Sequence, residues 1–269
     1  MCSKTLEVGS DEYKEVMAQA YGDPFLKIID VVERKDFYGV MAEEAIGYLA
    51  EKLNLSPESH LLELCSGIGG PLRYLAKKYG CKAVGIEINE LSHKVAVERT
   101  QKAGLDSRVS FICGNALDIP FPEATFTHLF GCDAWSYFPN KMDLYRGAYR
   151  VLKPGGIIAF YDLAKEKERQ RTPSHWEAIF GSYHPETFQR YEAMLKEAGF
   201  SVLDHQDSTT LANKESLKFL NSLIKKREEV LKAVGPEPYY QIMETWAEIL
   251  ADIHFGQVKH CYFIAKKRY

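Results

Sequence analysis

From Leu61 onward the chain alternates apolar runs of strand length with segments of helical period. Leu61–Cys65 reads as a strand, Pro71–Tyr79 as a helix and Ala83–Ile88 as a second strand. Glu90–Ala103 follows as a helix, Val109–Cys113 and Thr127–Cys132 as strands, and Lys141–Leu152 as a helix. A turn at Lys153-Pro154-Gly155-Gly156 then feeds a strand at Ile157–Tyr161. Strands that alternate with helices predict right-handed crossovers and a mostly parallel α/β sheet. Val40–Leu53 has a helical period ahead of this core. Beyond it, Thr187–Ala198 reads as a helix and Phe200–His205 as a strand. Lys214–Val234 and Tyr239–Ile253 read as helices parted by Gly235-Pro236-Glu237-Pro238, and Cys261–Ala265 as a final antiparallel strand. Leu163–Pro185 is irregular, polar and aromatic, and is long enough for a lid.

The organisation expected is a single domain in four parts. Residues 1–56 form an N-terminal helical lid and lead-in helix, and 57–162 a ligand-binding core. Residues 163–186 form a lid insertion, and 187–269 complete the core and add a helical cap. Composition narrows the function classes. A net charge of −3 supplies no basic field for nucleic acid. No apolar run nears the roughly 20 residues of a membrane span, and the N-terminal stretch is polar and acidic. The six cysteines show no Cys-x-x-Cys pair. These features predict a cytoplasmic protein without a membrane or nucleic-acid partner and without a metal; they set no oligomeric state.

Candidate chemistry concentrates in Leu61–Ala76, where Gly67, Gly69 and Gly70 separate a strand from a helix. Glycine there lets a ligand approach the backbone and permits positive φ. Pro71 suits the first helical turn, whose free N–H groups favour an anion. A dinucleotide fingerprint needs glycine at position 72, where this chain has Leu72, so a carboxylate suits the turn better than a pyrophosphate. Glu87, ending the second strand, can accept both hydroxyls of a ribose. Asn115, after the third strand, can meet an adenine edge. A ligand with ribose, adenine and carboxylate but no phosphate has the parts of S-adenosylmethionine.

On Glu63-Leu64-Cys65-Ser66-Gly67-Ile68-Gly69-Gly70, Glu87, Gly114–Phe121 and Arg150–Gly156, the sequence resembles class I S-adenosylmethionine-dependent methyltransferases. Gly67–Ala76, Cys132–Trp135 and the two late helices are similar to the branch holding sarcosine/dimethylglycine, phosphoethanolamine and tocopherol methyltransferases. The resemblance implies a Rossmann-like, seven-stranded, mostly parallel sheet with an antiparallel last strand and helices on both faces. It implies a cofactor site made of Glu63, Cys65, Ser66, Gly67, Gly69, Arg73, Glu87, Ile88, Asn115, Ala116, Leu117 and Cys132. Tyr137 stands where many relatives carry a histidine.

Methyl transfer needs alignment and desolvation more than it needs a base. The loop Gly131–Tyr137 lacks the Asn/Asp-Pro-Pro-aromatic pattern of base and amide methyltransferases. It offers Asp133 between aromatics instead. Asp133, Trp135 and Tyr137 are the expected catalytic residues, Asp133 orienting the acceptor or taking its proton. Tyr38, Trp135 and Tyr183 are expected around the substrate, their ring faces suited to a cation. The expected activity is methylation of a small molecule, with nitrogen ahead of oxygen, carbon or sulfur. A nicotinamide-dependent oxidoreductase and a non-catalytic cofactor-binding regulator are the alternatives.

Overall fold

The computed structural model describes residues 7–32, 36–39, 43–166, 181 and 183–268. Its sheet is built from β1 (His60–Leu64), β2 (Lys82–Glu87), β3 (Val109–Cys113), β4 (Phe126–Cys132), β5 (Leu152–Lys165), β6 (Glu186–Thr187), β7 (Phe200–Asp207) and β8 (Lys259–Lys267). The main path runs β3-β2-β1-β4-β5-β8-β7, with the two-residue β6 beside the end of β5. Pairs from β3 to β5 are parallel, whereas β8 runs antiparallel to both β5 and β7. This is the expected Rossmann-like sheet, seven strands along its path.

The strands lie between two apolar layers. Leu62, Leu64, Val84, Ile86, Leu129 and Ile158 face one cluster, while Leu61, Ala83, Phe130 and Ala159 face the other. That alternation with both faces buried is why these strands read as nearly continuous apolar runs. The helices on the faces include α3 (Glu43–Glu51), α4 (Gly70–Tyr79), α5 (Glu90–Lys102), α6 (Lys141–Val151) and α7 (Phe188–Glu197).

A third apolar cluster forms the cap. The N-terminal helices α1 (Asp11–Ala20) and α2 (Asp23–Val31) pack on α8 (Thr209–Lys225), α9 (Arg227–Val234) and α10 (Pro236–His254) through Phe25, Ile28, Phe219, Val230 and Trp246. Among the described residues no helix is long and apolar enough to cross a membrane.

Three boundaries differ from the sequence reading. The helix expected at Lys214–Val234 starts at Thr209 and is broken at Lys226, whose φ of −102° and ψ of 22° leave the helical region. Gly235 does part the two helices, but Pro236 and Pro238 belong to the first turn of α10, where proline removes no hydrogen bond. The turn at Lys153–Gly156 is an irregularity inside β5: Gly155 has φ 73° and the register with β4 shifts between Phe126 and His128. Of the expected lid insertion, residues 167–180 and 182 lie outside the described residues, as do residues 40–42 of the expected lead-in helix.

Candidate active site

The strand order reverses between β1 and β4, and open α/β sheets bind ligands at such a crevice. Two residues with side chains adopt left-handed backbone there: Cys65 with φ 63° and Asp133 with φ 51°. A non-glycine residue in this region is costly and collects at functional sites. Between them opens a cleft of about 810 Å³, part of it open to solvent.

The floor of the cleft is the glycine turn. Gly67 and Gly69 have φ 51° and 76°. A Cβ on Gly67 would press on the Tyr38 ring at 3.1 Å. The Glu87 carboxylate spans the turn, accepting the Gly67 N–H at Oε2 (2.7 Å) and the Asn89 N–H at Oε1 (2.8 Å). Burial raises its pKa, and these backbone donors work against that rise. Each carboxylate oxygen has a second lone-pair direction for a sugar hydroxyl.

Beside it, Glu63 is buried with Oε2 lacking a partner, and Ser66 Oγ is also buried without one. Burial, then the nearby Glu87 charge, holds the Glu63 carboxyl well above the usual range. A buried polar group without a partner is rare and calls for one. The donor set fits S-adenosylmethionine: a carboxylate across the glycine cradle for the ribose, and an unpaired acid and hydroxyl for the amino-acid end.

The roof is α1. Ser10 caps it by accepting the Tyr13 N–H at 3.1 Å, and Tyr13 and Met17, one turn apart, line the cleft. Asn89 caps α5 through Ser92 (2.9 Å) and donates from Nδ2 to the Met17 carbonyl (3.0 Å), tying roof to floor.

A second pocket of about 560 Å³, part of it open to solvent, adjoins the first and shares Tyr21, Tyr38, Gly39 and Asp133 with it. Its remaining walls are Leu163, Tyr183, Trp246, Ile249, Ile253, Val258 and His260. Three phenols tie its edge: Tyr137 meets Tyr21 and Tyr183, each at 2.7 Å. The stretch that carries Tyr183 is held down because Lys141, itself buried, donates to the His184 carbonyl at 2.5 Å.

Of the residues expected from sequence, Glu63, Cys65, Ser66, Gly67, Glu87, Ile88, Cys132, Asp133, Tyr137 and Tyr38 line the cleft, and Tyr183 lines the adjoining pocket. Six do not. Trp135 is 1% exposed in the core, where its indole occupies the space a Cβ on Gly131 would need and lies tilted against Phe160. Arg73 lies behind the glycine turn, donating to the Ile68 carbonyl (2.6 Å) and to Asp36 (2.5 Å). Asn115 accepts the Leu117 N–H (2.9 Å) and lies against Val8 and Gly9, Ala116 is buried in the core and Leu117 is exposed, and none of the three lines the cleft. Gly69 shapes the turn without lining the space. Tyr13, Met17, Tyr21, Trp246 and His260 were not anticipated. They come from the two ends of the chain: His260 stands on β8 itself, and the packing of α1 and α2 on α8–α10 brings the other four to the sheet edge.

Residues 62–160 match the methyltransferase domain family. The chain is similar to 24-methylenesterol C-methyltransferase 2 of Oryza sativa, at 36% identity over 166 residues, covering 59% of this chain and 46% of that protein. It is also similar to phosphoethanolamine N-methyltransferase 3 of Arabidopsis thaliana, at 29% identity over 220 residues, covering 81% and 44%. The chain thus spans a little under half the length of these curated relatives. Among solved structures, phosphoethanolamine N-methyltransferase 2 of Haemonchus contortus, in complex with phosphomonomethylethanolamine and S-adenosylhomocysteine, superposes with a TM-score of 0.86. That alignment has 19% identity and covers 96% of this chain and 60% of that one. The matched residues, with their glycine turn, their Glu87 and their place in this sheet order, form a class I S-adenosylmethionine-dependent methyltransferase domain.

Proposed function

We propose that this chain methylates the nitrogen of a small amine held in the aromatic pocket, using S-adenosylmethionine in the adjoining cleft. The observation that carries the reading is the shared wall: Tyr21, Tyr38, Gly39 and Asp133 border both spaces, so an acceptor and a methyl donor meet at Asp133. The cofactor, when bound, supplies an electrophilic methyl group. Glu87 and the glycine turn hold its sugar, and Glu63 with Ser66 answers its amino-acid end. Tyr21, Tyr38, Tyr183 and Trp246 exclude water and present ring faces to a cationic amine. Asp133 orients the acceptor by accepting an N–H. The phosphoethanolamine N-methyltransferase relatives support nitrogen as the acceptor.

The pocket walls also favour a second reading. They are largely apolar, and the sterol C-methyltransferase relative supports methylation at the carbon of an alkene. A coupled S-adenosylhomocysteine-release screen over amines and isoprenoid alkenes tests both. Turnover with amines supports the first, turnover with alkenes alone supports the second, and turnover with neither overturns both.

A further inference from the structure

His260, on β8, is 1% exposed and lines the aromatic pocket. Its backbone is pinned: its N–H donates to Thr209 Oγ1 (3.0 Å), and its carbonyl accepts the Ser208 N–H (2.9 Å). Among the described residues neither buried ring nitrogen has a hydrogen-bond partner, and Nε2 stands 3.6 Å from Asp133 Oδ1, too far for a hydrogen bond. The Tyr21 and Tyr183 phenols of the same pocket are each engaged by Tyr137 instead. Leu163, Ile249, Ile253 and Val258, also on these walls, carry no polar side-chain atom. Burial holds the imidazole down at about 4, with Asp207 pulling the other way, so the ring is neutral near pH 7. A neutral imidazole has one N–H and one bare nitrogen. Leaving both unanswered in a buried site is costly, and rare enough to call for a partner.

We propose that His260 recognises an uncharged hydroxyl on the methyl acceptor, whose apolar body fills the aromatic pocket. A hydroxyl donates to the bare nitrogen or accepts from the N–H, so it answers His260 in either tautomer. An ammonium can only donate, and an ether or ketone can only accept. A charged group would also lose its hydration among apolar walls. The reacting atom meets the methyl donor at the wall that the two spaces share, whereas His260 lines the aromatic pocket alone. The hydroxyl is therefore a second polar group of the acceptor, and His260 sets specificity without acting as a base. The inference rests on the aromatic pocket being the acceptor site.

The test is binding without turnover. Benzyl alcohol and toluene share a ring and differ by the hydroxyl. Each is titrated, by ligand-observed NMR, into the full chain saturated with S-adenosylhomocysteine. The ratio of their affinities is compared between the native chain and its variants, which cancels the cost of drying the hydroxyl. That ratio is expected to fall at least about 5-fold in His260→Leu. It is expected to stay within about 2-fold of native in His260→Gln, whose amide also donates and accepts. The His260 ring nitrogen resonances of the native chain are expected to shift with benzyl alcohol and not with toluene, and they carry the test if His260→Leu fails to fold. An unchanged ratio in the leucine variant, ring resonances that ignore the alcohol, or binding of neither probe overturns the inference. A chain that shows the preference but methylates neither amines nor alkenes refutes the proposed function and leaves this assignment standing. Turnover of amines without the preference overturns this assignment alone.

Discussion

Glu87→Gln separates the cofactor site from the fold. The native carboxylate accepts two backbone N–H groups, from Gly67 at 2.7 Å and Asn89 at 2.8 Å. An amide has one oxygen, so its NH₂ must face one of those donors and, on that side, the ribose hydroxyl proposed to donate to the carboxylate. Loss of one hydrogen bond to a charged group removes about 1.5–3 kcal/mol, which is roughly 10- to 150-fold in affinity. Stability responds differently. Burial raises the Glu87 pKa, so the folded state holds that proton more tightly than the unfolded chain does. Ionised Glu87 therefore detracts from stability above the unfolded carboxylate pKa, and the amide removes that cost while losing one backbone bond. The two effects oppose, and Tm is expected to move by no more than about 4 °C. Calorimetry with S-adenosylhomocysteine at pH 7.5, paired with a thermal melt, reads both quantities. An affinity within threefold of native, at unchanged Tm, would refute the reasoning. So would a drop of affinity and Tm together in both Glu87→Gln and Glu87→Ala.

Other substitutions probe the remaining parts of the site. Trp135→Ala empties a core position against Phe160 and Tyr145 and should cost about 3–5 kcal/mol in urea denaturation. The folded fraction should keep its cofactor affinity, and a selective loss of acceptor binding would instead restore Trp135 to the substrate site. Tyr137→Phe removes the bridge between Tyr21 and Tyr183, two bonds of about 0.5–1.5 kcal/mol each. Acceptor KM should rise more than cofactor KM, and equal changes would reject the edge assignment. Asp162 is fully buried, and burial pushes its pKa up to about 7. An acid raised in the folded state loses stability as pH climbs from its unfolded value near ~4 to about 7. Asp162→Asn should flatten that decline, worth at most a few kcal/mol, in melts from pH 4 to 8; an unchanged slope would place the titration elsewhere.

What the sequence by itself determined is local. The runs at Leu61–Leu64 and Ala83–Ile86 are strands buried on both faces, and a strand buried on both sides reads as an unbroken apolar run, while Val109–Cys113, at the edge of the sheet, is only partly buried. Gly67 and Gly69 mark the ligand turn because only glycine takes positive φ there without strain, and Glu87 ends its strand within one residue of the reading. Tertiary structure decided the rest. The Cys132–Tyr137 loop looks alike residue by residue, yet the fold sends Asp133 into the space between the pockets and Trp135 into the core beneath Gly131. Arg73, a plausible carboxylate ligand by position, is turned inward by Asp36 and the Ile68 carbonyl. Tyr21 and His260 lie 239 positions apart and share a pocket wall. Nothing periodic in either segment encodes that meeting, because it arises where the helical cap that carries Tyr21 packs against the end of β8 that carries His260.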